Sequence, residues 1–295
     1  MNRPESLERG ALAMVLSAAF FAGMGLAVKL ASRSLPNASV VLARNAFGLL
    51  ALLPWAAARL GWRGLATRKL PEHLIRSLAG LAAMYCFFYA IAHMRLADAV
   101  LLNYSLPLFV PVIALAWLGE RFPLRLWPGL LLGFLGIVLV LKPGSGLFDP
   151  VALFGVASAI LAALAQVGVR RLTETEPVTR IVFYFGAIST ALSAIPVIGH
   201  WTPPATGQWP LLIALGALAT AAQLLLTYAY AQAPAARVGP FIYACVPFAA
   251  LLDGVFLGQW PDAASIAGGL LVILAGTLIL REGRSAALAS SPSVP

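Results

Sequence analysis

Long apolar runs broken by short polar interruptions are the dominant pattern along this chain. A helix crosses a bilayer with about 20 apolar residues. Ten runs have that character: 10–30, 38–58, 74–94, 98–118, 125–141, 151–169, 181–200, 210–230, 238–257 and 264–280. The pattern predicts an all-α integral membrane protein with ten transmembrane helices. The fifth and tenth runs are shorter and rich in glycine, which predicts closely packed, little-tilted helices. Connectors are brief and carry proline, glycine or charge, as in Arg33-Ser34-Leu35-Pro36-Asn37 and Thr173-Glu174-Thr175-Glu176-Pro177. The longest is the basic stretch from Arg59 to His73. The polar lead Met1 to Arg9 runs straight into the first apolar run. That run is too long for a signal-peptide core and lacks a clear cleavage site, so a retained first helix is expected. Residues 285–295 are small and polar and are expected to form a disordered tail.

The second half of the pattern repeats the first. Ser17, Lys29 and Pro36 recur 141 positions on as Ser158, Arg170 and Pro177. Tyr89-Ala90-x-Ala92 recurs 139 positions on as Tyr228-Ala229-x-Ala231. Pro107 returns as Pro247, Leu118-Gly119 as Leu257-Gly258, Gly129 as Gly269 and Gly136 as Gly276. Two five-helix units follow, 1–145 and 146–284. Five is odd, so the second unit must enter the bilayer from the opposite side. The result is an inverted five-plus-five repeat, the logic of alternating-access transporters.

Composition points to lipid as the solvent. The 295 residues are 61% hydrophobic and 11% charged, with mean hydropathy +0.89, where soluble domains carry about 25% charged residues. Cys86 and Cys245 both fall inside apolar runs and read as packing residues rather than a disulfide. The net charge of +9 does not form a nucleic-acid arm; it sorts by membrane side. With a cytoplasmic N-terminus, 15 Lys and Arg face inward, among them Arg76, and only Lys29, Arg33, Arg95 and Lys142 face outward, with Arg44 left in the membrane. Basic residues collect in cytoplasmic loops, so both termini are expected in the cytoplasm of a multi-pass inner-membrane protein.

Ala97-x-Ala99-x-x-Leu102-x-x-x-x-Pro107 running into Leu118-Gly119-Glu120, its echo from Pro247 to Leu257-Gly258-Gln259, and the glycine ladders Gly129, Gly133, Gly136 and Gly268, Gly269, Gly276 carry a resemblance over nearly the whole chain. With them the chain resembles the drug/metabolite transporter superfamily, and most closely its EamA-type permeases. Gln259 departs from the glutamate usual after Leu-Gly in that family, which leaves a salt-bridging role there without its acid. The resemblance implies a secondary transporter, with export of amino acids and related small metabolites as the default activity.

Ionisable and polar groups at membrane depth are costly and mark candidate sites. Arg44 can grip a substrate carboxylate through a bidentate fork; otherwise it snorkels or pairs with Asp253. Tyr85, Tyr89 and His93, spaced by four, share a helix face. They read as a cavity lining or as ordinary packing and aromatic belt. Pro107 and Pro111 predict a kinked fourth helix that presents Asn103 and Tyr104. Tyr243 aligns with Asn103 on the inner side, with Pro247 beyond it. Gln166 and Gln223 are mid-helix amides that bind substrate or hold helices together. Asp253 is the one carboxylate inside a predicted span and reads as an interface group or a proton carrier. Lys29 and Arg170 read as helix-end charges. In this reading Arg44, Tyr89, His93, Asn103 and Tyr104 line the outer half of the route. Gln223, Tyr228 and Tyr243 line the inner half.

No Gly-x-x-x-x-Gly-Lys-Ser/Thr loop is present, so no ATP-binding site is expected, and no metal or cofactor set stands out. The partners expected are a small-molecule substrate and the bilayer, with monomer and homodimer both open. Export of cationic drugs ranks lower, because no glutamate lies inside a predicted span. An intramembrane enzyme lacks His-Glu-x-x-His or Gly-x-Ser-x-Gly, and a channel lacks a visible filter or charged ring.

Overall fold

A backbone in lipid finds no water to bond, so apolar runs close their own hydrogen bonds as helices. Every regular element among the described residues is helical. The computed structural model describes residues 6–93, 102–119, 124–141, 151–199, 203–258, 260 and 263–289. The helices are α1 (Leu7–Ala31), α2 (Asn37–Gly64), α3 (Leu70–His93), α4 (Leu106–Leu118), α5 (Trp127–Leu141), α6 (Ala152–Thr173), α7 (Val178–Ala194), α8 (Trp209–Gln232), the short α9 (Ala235–Val238), α10 (Cys245–Leu257) and α11 (Ala263–Ala289). Among the described residues, seven segments are long and apolar enough to cross a membrane: Leu7–Ala31, Asn37–Gly61, Leu70–Ala90, Ala152–Thr173, Val178–Val197, Thr206–Gln232 and Gly239–Phe256.

Local chemistry sets the ends. The Ser6 side chain accepts from the Arg9 amide, with Glu8 in the first turn of α1 and Lys29 in its last turn, so both charges complement the helix dipole. The helices α4 and α10 are each 13 residues long. Each is followed by a glycine in the left-handed region, Gly119 at φ 68° and Gly258 at φ 70°, where a Cβ would be strained.

Three boundaries differ from the sequence reading. Pro107 lies in the first turn of α4, where a missing amide costs nothing; it opens the helix instead of kinking it. The helix α3 starts at Leu70, four residues before the predicted run, and so takes His73 out of the predicted basic loop and sets Arg76 one turn deeper in its helix. The helix α11 continues to Ala289, past the expected start of the disordered tail, because the run after Arg284 is rich in alanine, the best helix former. Residues 290–295, Ala97, Ala99, Glu120 and Gln259 lie outside the described residues.

Apolar faces gain nothing by turning from lipid to protein, so close contact of small residues drives packing instead. Along α1, Ala11, Ala18 and Ala22 are buried against α8 and α10. The helix α3 packs on α6, α5 on α11, and α2 on α7 and α8. Gly48 of α2 and Gly216 of α8 meet backbone to backbone: a Cβ on Gly216 would stand 2.6 Å from the Gly48 nitrogen. Gly136 meets the Gly268 carbonyl in the same way, at 2.7 Å. Large side chains such as Leu12, Leu115, Leu135 and Ile273 point outward.

Hydrogen bonds define two faces. On the N-terminal face, the Ser6 amide donates to the Gln232 carbonyl at 3.0 Å, Arg180 Nε to the Gly64 carbonyl at 2.9 Å, and Arg171 Nη1 to the Trp117 carbonyl at 3.2 Å. On the opposite face, the Gln208 amide donates to Ser34 Oγ.

Gly216→Val should lower the thermal midpoint of the detergent-purified protein by the equivalent of about 1–3 kcal/mol, the usual cost of overpacking. Gly23→Ala, whose Cβ would meet Leu218 at an ordinary 3.6 Å, should leave the midpoint unchanged. Size-exclusion-monitored melting reads both, and equal midpoints for the two variants would contradict the α2–α8 contact.

Candidate functional site

Close packing at the crossings leaves the middle of the helices open. A cavity of about 510 Å³ lies among α1, α2, α3, α4, α6, α7, α8 and α10, within the range of small-molecule sites. Lys29, Ser32 and Arg33 line it at the end of α1, so it reaches toward the opposite face. Phe87, Phe88 and Met84 of α3 and Phe21 and Met24 of α1 supply apolar wall.

Two arginines form its polar end. Arg44 is 5% exposed and Arg76 4% exposed. Arg44 descends on α2 and donates from Nη1 to Asn45 Oδ1 at 2.8 Å. Asn45 in turn donates from Nδ2 to Ser193 Oγ at 3.3 Å. Arg76 comes from α3 and donates from Nη2 to Gln223 Oε1 at 2.8 Å. Both cations face one aromatic ring. Arg76 Cζ lies 3.5 Å from the Phe185 centroid and Arg44 Cζ 5.3 Å, both within cation–π range. Gly80 makes the stack possible, since a Cβ there would meet Arg76 Nη1 at 2.9 Å and Phe185 at 3.2 Å. Arg44 Nε, Arg76 Nε and Arg76 Nη1 are buried with no acceptor among the described residues. No Asp or Glu stands among the described residues of the wall.

Further up the wall, Asn103 Nδ2 donates to Ser158 Oγ at 3.0 Å, and the Tyr230 hydroxyl donates to Gln166 Oε1. Below the arginines the N-terminal face is knitted shut. Glu176 accepts from Thr67 Oγ1 at 2.7 Å and from Arg180 Nη1. His73 stacks on Tyr184 at 4.5 Å between ring centres and is fully buried.

The residues singled out in the sequence divide. Arg44, Asn103, Tyr104, Gln166 and Gln223 stand together on the cavity wall. Tyr85 packs into the cluster around Leu81 and Phe88. Tyr89 is 39% exposed and turns toward Phe154, at 4.5 Å between ring centres; Tyr228 is 37% exposed on the outer surface. A step of four residues overshoots a turn of 3.6 by about 40°, enough to swing Tyr89 off the face where Tyr85 begins. Tyr243 is buried against Gly133 and Val272, away from the cavity. The side chains of His93 and Asp253 lie outside the described residues. Arg44 neither snorkels nor reaches the surface; its contacts are Asn45 and Phe185. The sequence reading counts Arg76 among the inward-facing charges at the start of the third run, and α3 instead carries it into the cavity. A helix start four residues earlier was the signal that separates the two placements.

The EamA-like transporter family matches residues 8–142 and 150–281. A pseudopaline exporter of Pseudomonas aeruginosa is 37% identical over 272 residues, 91% of this chain and 95% of that protein. An S-adenosylmethionine uptake transporter of Rickettsia bellii is 27% identical over 84% of each chain. A riboflavin transporter of Vibrio cholerae is 27% identical over 92% of each. A solved crystal structure, 21% identical, superimposes with a TM-score of 0.81 over 94% of this chain and 98% of its own, a likeness of fold.

On a background without Cys86 and Cys245, Gly25→Cys should react with a membrane-impermeant maleimide, because Gly25 lines the cavity with open space around it. Tyr89→Cys, on the outer surface, should stay unlabelled in the bilayer. The reverse pattern would remove the cavity as a water-filled space.

Proposed function

We propose a mechanism from one premise: the chain belongs to the EamA-like transporter family, and is a multi-pass membrane transporter of a small molecule. Its relatives are named both as exporters and as uptake transporters. For this chain we read a secondary carrier that moves amino acids and related carboxylate-bearing metabolites outward across the inner membrane by alternating access. The observation that carries the reading is the pair of buried guanidiniums with unpaired donors on the cavity wall. Buried donors keep partners in nearly all proteins, and a carboxylate supplies the missing acceptors in fork geometry. The same pair repels the cationic compounds of the runner-up reading.

The ten-span inverted repeat belongs to this proposal, and several facts support it. Swapping the first five long helices for the second five (α6, α7, α8, α10, α11) turns the α1–α8 contact into α6–α3, and the α4–α6 contact into α10–α1; all four contacts are present. Tyr89 and Tyr228 share an outward aspect, Ala90 and Ala229 are both fully buried, and so are Ser17 and Ser158. Gly119 and Gly258 share a left-handed backbone. The first residues of α2 and α7, Asn37 and Val178, are 141 apart, and the same offset makes Phe185 the counterpart of Arg44. In this reading the two touching counterparts lie beside the axis relating the halves, which supports a site near the midplane, where such repeats bind substrate.

Orientation rests on charge. Arg59, Arg68, Lys69, Arg171 and Arg180 gather on the N-terminal face, and the positive-inside rule places that face, with both termini, in the cytoplasm. The cavity then opens outward and the Thr67–Glu176–Arg180 bridge closes the cytoplasmic side. Alternating access requires that bridge to break in the opposite state.

Arg44→Ala should lower flux of a carboxylate-bearing amino acid in proteoliposomes about tenfold or more at equal protein level, the worth of one charge-assisted contact; unchanged flux would retire the role. Glu176→Ala should raise labelling of cavity cysteines from the cytoplasmic side and lower it from outside. No change in sidedness would remove the bridge as a gate.

A further inference from the structure

We infer that the substrate carries two separate anionic groups, each a carboxylate, on a partly apolar body. The inference deepens the carrier reading above and rests on it for the meaning of the cavity. It starts from a charge imbalance. Arg44 and Arg76 arrive on different helices and bring two positive charges to one ring, Phe185. Each has one neutral acceptor already, the amide oxygens of Asn45 and Gln223. Neither has a carboxylate among the described residues of the wall.

A single carboxylate neutralises one guanidinium and leaves the other buried, cationic and short of acceptors. Such a leftover charge is the costly outcome in any desolvated site. Two anionic groups close both accounts. The unpaired donors also come in two sets, Nε on Arg44, and Nε with Nη1 on Arg76. A planar fork takes a carboxylate in preference to a neutral oxygen. The donors belong to two guanidiniums carried on separate helices and held by separate partners, Asn45 and Gln223, rather than to one fork, which favours two groups on a carbon frame over one compact dianion. Phe87, Phe88, Met24 and Met84 face the remaining volume and suit the apolar body. Lys29 and Arg33 line the mouth, and a cavity of one sign draws in the opposite sign.

The test uses three probes on the purified full-length protein near pH 7.5: N-benzoyl-glutamate, its monoanionic amide N-benzoyl-glutamine, and phenyl phosphate as a compact dianion. Binding is read by calorimetry in detergent and flux by counterflow in proteoliposomes. N-benzoyl-glutamate should bind at least tenfold tighter than the other two, and Arg44→Gln and Arg76→Gln should each erase that preference. Arg76→Gln removes an underpaired buried charge, so its melting midpoint should equal or exceed the parent's. Equal affinity for the first two probes overturns the inference, and so does phenyl phosphate binding as tightly as N-benzoyl-glutamate. A binding preference retained without counterflow of any probe sinks the carrier reading and leaves the dianion site standing. Counterflow of both benzoyl probes with no preference does the opposite.

Discussion

Placing two guanidinium charges at membrane depth is the constraint around which the rest of the structure is arranged. A charge there is tolerated only where protein or water replaces bulk solvation. Phe185 offers its face to both cations, and Asn45 and Gln223 offer one oxygen each. These contacts are partial compensation, since three nitrogens keep no acceptor among the described residues. The shortfall is informative. A protein selected for stability alone would pair or remove such charges, and in the proposed mechanism the substrate is what completes the bonding.

Small residues make that arrangement possible. Gly48 and Gly216 bring α2 and α8 into backbone contact, and Gly136 and Gly268 do the same for α5 and α11. Helices that touch along glycine and alanine at their crossings need not fill the space between crossings. The cavity is what remains, and Gly80 lowers the last barrier by letting Arg76 lie flat against Phe185. Packing and site are therefore one design: tight contacts hold the helices, and the missing side-chain volume sits where binding happens.

Much of this was legible in the sequence, for definite reasons. Apolar runs in lipid leave few choices, so the helices stood out, and an intramembrane arginine or amide is conspicuous at low charge density; Arg44, Asn103, Tyr104, Gln166 and Gln223 were found that way. Arg76 was not, because a basic residue at the end of a predicted run, close to other basic residues, looks like a membrane-surface charge until the helix start is known to within one turn. Tyr89 and Tyr228 misled in the other direction. Spacing by four suggests a shared face, but the drift of about 40° per step swings Tyr89 off it, and both rings stand at the outer surface. Periodicity locates a helix well and its rotation poorly, and a cavity wall depends on rotation.

The two ends of the molecule carry related but unequal bonds. Thr67 bridges to Glu176 on the N-terminal face, and Gln208, 141 positions after Thr67, bonds Ser34 on the other. Under the proposed repeat they join neighbouring positions, since Ser34 corresponds to Thr175, beside Glu176. They differ in charge. The N-terminal bridge adds Arg180, which also holds the Gly64 carbonyl, whereas the bond between Gln208 and Ser34 is neutral and exposed. Charge-assisted bonds are roughly twice as strong as neutral ones, and the exposed bond competes with water. An exchange between two such closures is biased toward keeping the stronger one. In the proposed carrier the resting state then has its N-terminal face shut and its cationic cavity open to the other side, and a substrate must offset the cost of parting Glu176 from Arg180 before it crosses. In that proposal the two buried guanidiniums are a source for that energy, since their pairing with an anionic substrate is gained when it arrives.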